Sequence, residues 1–205
     1  MTKPKYWEEG KKYLSKKDKI LKELIKKYPG HLKSRKDPFF SLCKSIVGQQ
    51  ISVQAANSVW KKLEAKSKKI KPYNILKLSK IQLANCGLSK QKITYLKILS
   101  KKFKTKEVDI KKLKKMDDHD AILHLTEVKG IGKWTAEMFL FFNQLRPDIF
   151  PVQDIGLLRA ISKNYKTSYP PSKTKKKKFN KKWSPYCTVA TWYLWRSIDP
   201  VVVSY

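Results

Sequence analysis

Leu123, Leu125 and Val128 are followed by Gly130-Ile131-Gly132 and then by Ala136, Phe139 and Leu140, and that order leaves few folds open. Apolar residues spaced three and four apart on both sides of the glycines describe two amphipathic helices. A Gly-x-Gly break between them makes a helical hairpin. Glycine accepts positive φ and carries no Cβ, so successive backbone N–H groups can converge on an anion at the start of the second helix. Lys129 and Lys133 flank that spot with positive charge. The same glycines would also serve a plain helix–helix connection with a glycine C-cap. Taken alone, the motif leaves both readings open.

Helical periodicity extends through most of the chain. Ile20, Leu21, Leu24 and Ile25 repeat until Tyr28-Pro29-Gly30 stops them. Asp37 as N-cap and Pro38 in the first turn open a helix through Phe39, Leu42, Ile46 and Val47, which Gly48-Gln49-Gln50 interrupts. Ser52 caps a further helix through Trp60 and Leu63. Ser79 starts a short one closed by Gly87, and Ser89 begins another with Ile93, Leu96 and Leu99. Asp117 or Asp118 caps the helix entering the hairpin. Ile155, Leu157, Leu158 and Ile161 follow Asp154, and a last helix runs from Ser184-Pro185 through Val189, Trp192 and Trp195. No period-2 strand and no internal repeat stands out, so the fold class expected is all-α.

The charge balance points to a polyanion. The chain has 47 Lys+Arg against 16 Asp+Glu, a formal net charge of +31 on 205 residues. Only four of the basic residues are arginine, and lysine binds phosphate as a point charge where arginine reads guanine edges. Backbone contact with steep salt dependence follows, rather than sequence readout. Residues 101–115 and 173–178 are dense in lysine, and each is either a solvated helix face or loop or a DNA-backbone patch. No apolar run reaches the roughly 18 residues of a membrane span, so an intracellular protein away from membranes is expected, in the cytoplasm or nucleoid if the source is bacterial. Cys43, Cys86 and Cys187 are odd in number and far apart, so no disulfide framework, zinc site or iron–sulfur cluster is indicated.

Four separated motifs together resemble a known family. Gly48-Gln49-Gln50-Ile51-Ser52-Val53-Gln54-Ala55-Ala56, Gly87-Leu88-Ser89-Lys90-Gln91-Lys92, the hairpin from Val128 to Ala136, and the acid Asp154 match, in order, the helix-hairpin-helix (HhH-GPD) DNA glycosylases. The nearest subgroup is the alkylation-repair type, DNA-3-methyladenine glycosylase II, and the resemblance spans residues 38–198. It implies two helical lobes with the active site in the cleft between them. Residues 1–37 would be an N-terminal helical segment packing on the core, residues 38–198 the glycosylase core, and residues 199–205 a tail. The lobe with the hairpin would occupy about residues 89–165, and the other lobe would come from the N- and C-terminal parts. The extra N-terminal β-domain of longer relatives is expected to be absent.

The resemblance also implies residue roles. Asp154 matches the catalytic aspartate. Cleavage of an N-glycosidic bond builds oxocarbenium character at C1′, which an ionised carboxylate stabilises, or the carboxylate orients the attacking water. Local sequence alone makes Asp154 the N-cap of the next helix, and the two roles are compatible. Relatives that also cut the strand carry a Schiff-base lysine at the place of Trp134. Lys133, one residue earlier, is turned by about 100° on the helix, so it suits phosphate contact and a monofunctional hydrolase is expected. Trp134, Met138 and Trp192 are the base-pocket candidates, with indole faces suited to a cationic alkylated base; both tryptophans also read as ordinary core aromatics. The DNA-binding hairpin comprises Lys129, Gly130, Ile131, Gly132, Lys133 and Thr135.

Gln49, Gln50 and Ile51 fall where the family fills the gap left by the flipped base, and a polar plug departs from the leucine that a relative has at the position of Gln50. No side-chain metal site and no cofactor is expected; the family hairpin can hold a monovalent cation on backbone carbonyls. The activity implied is base excision repair of alkylated purines of the 3-methyladenine type, by a monomer acting on damaged double-stranded DNA. A glycosylase for oxidised guanine, uracil or hypoxanthine would share the scaffold, and a non-enzymatic helix-hairpin-helix DNA-binding module is the remaining alternative.

Overall fold

The local capping signals become the helix boundaries of the computed structural model, which describes residues 3–34 and 37–199. Among the described residues there are thirteen helices and no strand, as the periodicity predicts. The residues group into two units, one built from 3–34 and 140–199 and the other from 37–139. The hairpin lies in the second unit and Asp154 in the first, although the sequence reading placed both within residues 89–165. Most of the expected tail, residues 200–205, lies outside the described residues.

In the first unit, α1 (Trp7–Lys17) and α2 (Lys19–Lys27) pack on each other and on α13 (Cys187–Ile198), which also packs on α11 (Ile155–Asn164) and α12 (Lys173–Trp183). Every residue of α13 from Cys187 to Trp195 is buried, so this helix is the unit's core. Trp7 meets Trp192 edge-on at 5.4 Å between ring centroids. Asp18, only 2% exposed, closes the corner between α1 and α2. Its carboxylate caps α2 through the Ile20 and Leu21 N–H groups and also accepts from the Tyr165 hydroxyl (2.9 Å), the Trp183 indole (3.1 Å) and Lys182 Nζ (2.8 Å). Burial opposes its ionisation, yet the bonds from Lys182, Trp183, Leu21 and Tyr165 prevail and hold the carboxyl below its ordinary range.

The second unit is arranged about α7 (Lys90–Lys104), against which α3 (Pro38–Gly48), α5 (Pro72–Lys77) and α6 (Lys80–Asn85) pack, with α4 (Val53–Ser67) against α3. Asp37, Ser52 and Ser89 each accept an N–H bond as N-cap, and Ser79 with Gln82 forms a full capping box. The buried edge of α7 sends Lys97 Nζ to the Leu76 and Leu78 carbonyls, so α5 ends on a lysine whose pKa burial lowers. After α8 (Ile110–Leu113) comes α9 (Asp118–Thr126), capped by Asp117 rather than Asp118, and α10 (Lys133–Phe142) completes the hairpin. The three cysteines are free thiols in buried positions. Among the described residues, no helix is long and apolar enough to cross a membrane.

Candidate active site

The segment that carries Asp154 is fastened to α13 at both of that helix's ends. The N-cap residue of α13, Tyr186, supplies no side-chain bond, and Asp148 does so from far along the chain: its oxygens accept from the Cys187 N–H (3.1 Å) and the Ser184 hydroxyl (2.6 Å). The Thr188 hydroxyl donates to the Arg146 carbonyl at 2.6 Å and accepts from the Ile149 N–H at 3.0 Å. Two turns further along α13, the Trp195 indole N–H donates to Asp154 Oδ1 at 2.8 Å. The same oxygen accepts from the Leu157 N–H at 2.6 Å, which makes Asp154 the N-cap of α11.

Asp154 is therefore an N-cap, as the local sequence predicts, and more than an N-cap. An N-cap carboxylate needs only one backbone donor, which Leu157 supplies. This one is 4% exposed, and its second donor is a tryptophan that is itself 3% exposed. Trp195 is locked in turn by Phe142, stacked at 5.9 Å and 7° between planes, and by Phe141 at 4.9 Å. The result is an acid whose position is fixed by an apolar, water-poor wall. Trp195 is the partner of Asp154 that sequence reading missed; the one available signal is that a buried tryptophan needs a partner for its N–H.

The remaining candidates of the first unit and those of the second are placed as follows. Trp192 is 4% exposed and enclosed by Trp7, Tyr193 and the Gly30 backbone, with the Arg196 guanidinium 5.8 Å from its ring centre, so it is built into the core of its unit. Trp134 is half-buried at the start of α10, and Met138 one turn later is buried. Lys129, Gly132 and Lys133 are exposed, whereas the Ile131 and Thr135 side chains turn into the unit and leave only their backbone to a ligand. Lys133 Nζ lies 4.0 Å from Glu137 Oε1, one turn along.

The hairpin and the turn between α3 and α4 meet. Gln49 Nε2 donates to the Gly130 carbonyl at 2.9 Å across 81 residues of sequence. Residues 49–51 and 130–132 line a concavity of about 650 Å³ with Ser89, Gln91, Lys92 and Tyr95. Lys92 spans its base, donating to the Val47 carbonyl at 2.8 Å with its pKa lowered by burial. Gln50 is exposed in the left-handed region at φ 56°, a conformation a non-glycine residue holds only when its surroundings impose it. The two hairpin glycines have separate reasons. Gly130 has φ +99°, and a Cβ there would lie 2.3 Å from Tyr95 Cγ, so the fold itself demands it. A Cβ on Gly132 would meet nothing within 4 Å, so nothing within the unit requires a glycine there, and the bare backbone is open to a closely approaching ligand.

Among the described residues, no group of three or more His, Cys, Asp or Glu side chains could hold a metal ion. The Val128 and Gly130 carbonyls each accept a hydrogen bond, from Ile131 N–H and Gln49, and each keeps a second lone pair.

Comparison with known proteins gives this geometry its family. A DNA-3-methyladenine glycosylase of Saccharomyces cerevisiae is 36% identical over 197 residues, with 78% of this chain and 66% of the yeast protein covered. The crystal structure of a DNA-3-methyladenine glycosidase from Bacillus halodurans superposes with a TM-score of 0.82 at 32% identity, covering 93% of this chain and 89% of that one. The 3-methyladenine DNA glycosylase Mag1 of Schizosaccharomyces pombe, solved with abasic DNA, gives 0.81 at 25% identity, covering 96% and 100%. The family model described as HhH-GPD superfamily base excision DNA repair protein matches residues 43–185, and with that match the chain belongs to the HhH-GPD superfamily.

Proposed function

We propose that this chain is a monofunctional DNA glycosylase of base excision repair that flips an alkylated purine out of duplex DNA and hydrolyses its N-glycosidic bond, leaving an abasic site. The observation that carries the reading is the Asp154 carboxylate, buried yet held by the Leu157 N–H and the Trp195 indole. The bond between C1′ and the base nitrogen breaks, and its electron pair leaves with the base, which an alkyl group has already made cationic. A water oxygen bonds to C1′ and releases its proton to solvent, while the base leaves neutral. Asp154 stabilises the positive charge that builds at C1′ and orients that water. Because the leaving base is already cationic, one carboxylate suffices.

The other residues take supporting roles. Successive N–H groups at the start of α10, with Lys129 and Lys133, bind a phosphate of the backbone. Trp134, the half-exposed member of the pocket candidates, stacks on the extruded base, and Met138 shapes the wall behind it. With tryptophan where a lyase needs its lysine, no covalent intermediate forms. The names of the relatives, which specify 3-methyladenine, support the lesion class.

Single-turnover base release from duplexes carrying alkylated, oxidised or deaminated purines, or uracil, tests the proposal. Wild type is expected to release 3-methyladenine-type bases without cutting the strand. Asp154→Asn, which keeps the shape and both accepted hydrogen bonds but removes the charge, should lower that rate by about a hundredfold or more. A variant with the wild-type rate and intact DNA binding overturns the mechanism, and release confined to another lesion overturns the substrate.

A further inference from the structure

The lysine run in α12 plays no part in the chemistry above, and its setting distinguishes it from the other lysines of the chain. Between Ile155 and Ile198 there are nine lysines and two arginines and not one of the chain's 16 acidic residues. A general excess of lysine would leave acids interspersed with it; here the acids are excluded. Within the eleven residues of α12, Lys173, Lys175, Lys177, Lys178 and Lys181 are exposed. Lys173, Lys177 and Lys181 form one i, i+4 row and Lys178 and Lys182 a second, so like charges face each other along the helix and destabilise it.

The helix nevertheless forms because its other side is anchored. Ser172 caps it, Phe179 lies 4.5 Å from the Tyr165 ring and stacks on Trp183 at 4.9 Å, and Trp183 and Lys182 both bond to the buried Asp18. Among the described residues, Lys175 Nζ bonds the neutral Thr167 hydroxyl and no carboxylate. Asp18 is the one carboxylate these bonds bring to the helix, and it is occupied on the inner side. α1, which also packs on α12, ends in Lys16-Lys17. Core aromatics thus hold rigid a helix that repels itself, and a polyanion lying on it would relieve the repulsion.

We propose that the exposed face of α12 is a second DNA-binding surface, which takes the phosphate backbone of duplex DNA independently of sequence and of damage. Its row of lysines advances about 6 Å per step along the helix axis, against one phosphate per 3.4 Å along each DNA strand, so neighbouring lysines reach different phosphates. Such a surface would hold undamaged DNA during the search for a lesion. The inference relies on the glycosylase reading only for the choice of duplex DNA as the polyanion.

Binding of an undamaged duplex oligonucleotide across a salt series tests it, with Lys173→Gln/Lys177→Gln/Lys181→Gln beside a charge-matched control, Lys22→Gln/Lys26→Gln/Lys27→Gln on α2. Each phosphate that a lysine no longer neutralises lowers the slope of log affinity against log salt by about 0.9. The α12 variant is therefore expected to lose about two to three units of slope and the control less than one. Thermal melting of the α12 variant should stay at or slightly above the wild-type value, because the repulsion along the row is relieved, and single-turnover base release at saturating protein should be unchanged. Equal slopes for the two variants, or no change in either, overturn the proposal. Base release in the same samples reads the catalytic assignment separately, so a failure of one is not mistaken for a failure of the other.

Discussion

Replacement of Trp195 by phenylalanine isolates the feature on which the Asp154 assignment depends. Phenylalanine keeps an aromatic ring against Phe141 and Phe142 but loses the N–H that reaches Asp154 Oδ1 at 2.8 Å. A hydrogen bond to a charged group contributes about 1.5–3 kcal/mol. At 1.36 kcal/mol per factor of ten, that corresponds to roughly a ten- to hundredfold loss in rate if the bond fixes the carboxylate where charge develops. The Leu157 N–H bond remains, so helix α11 keeps its cap and the backbone around Asp154 should hold. Folding stability should fall by a similar amount, about 1–3 kcal/mol, because a buried acceptor loses a donor and the smaller ring leaves space. The assay is single-turnover base release at saturating protein, with affinity for abasic-site DNA and the melting midpoint measured on the same preparation. A positioning role requires the rate to fall while affinity holds. If Trp195→Phe melts lower but releases base within twofold of wild type, Trp195 is a packing residue and the positioning argument fails.

What the sequence disclosed and what it withheld divide by distance along the chain. Asp37-Pro38, Ser52, Ser79 with Gln82, Ser89 and Gly87 work within a turn of one another, so their helices could be placed before any tertiary information. The hairpin and the capping role of Asp154 were legible for the same reason. By contrast, α1 was not, because Gly10 in its middle weakens the helical signal. The reason for that glycine lies in α13, where a Cβ at position 10 would come within 2.9 Å of Val189 Cγ2. Helix α5 is six residues long, too short for a periodic pattern to establish itself. The bonds that set the site, Trp195 to Asp154, Cys187 to Asp148 and Gln49 to Gly130, join residues 41, 39 and 81 apart. Nothing local marks either member of such a pair. The apolar periodicity shows that α13 is buried but not that one of its tryptophans orients an acid.

Two further substitutions probe the frame that holds these residues. Gly130→Ala should cost about 1–3 kcal/mol for the left-handed backbone alone, and more because the new Cβ meets the root of the Tyr95 ring, which cannot swing aside. DNA affinity should fall with it, and an alanine variant that binds and melts as wild type would show that the turn does not need its glycine. Asp18→Asn should lower stability at neutral pH by about 3 kcal/mol, since the charge that Lys182, Trp183 and Tyr165 converge on is lost. The pH dependence has a definite sign. The folded carboxyl lies below its ordinary value, so its stabilisation is complete above the unfolded carboxylate pKa of about 3.9 and is lost as pH falls through the folded value. Chemical denaturation of the two proteins across an acid series should therefore show a gap that is constant near neutrality and closes below about pH 4. A gap that persists unchanged into that acid range would mean that Asp18 acts through packing alone, and that the ionised network does not anchor α12.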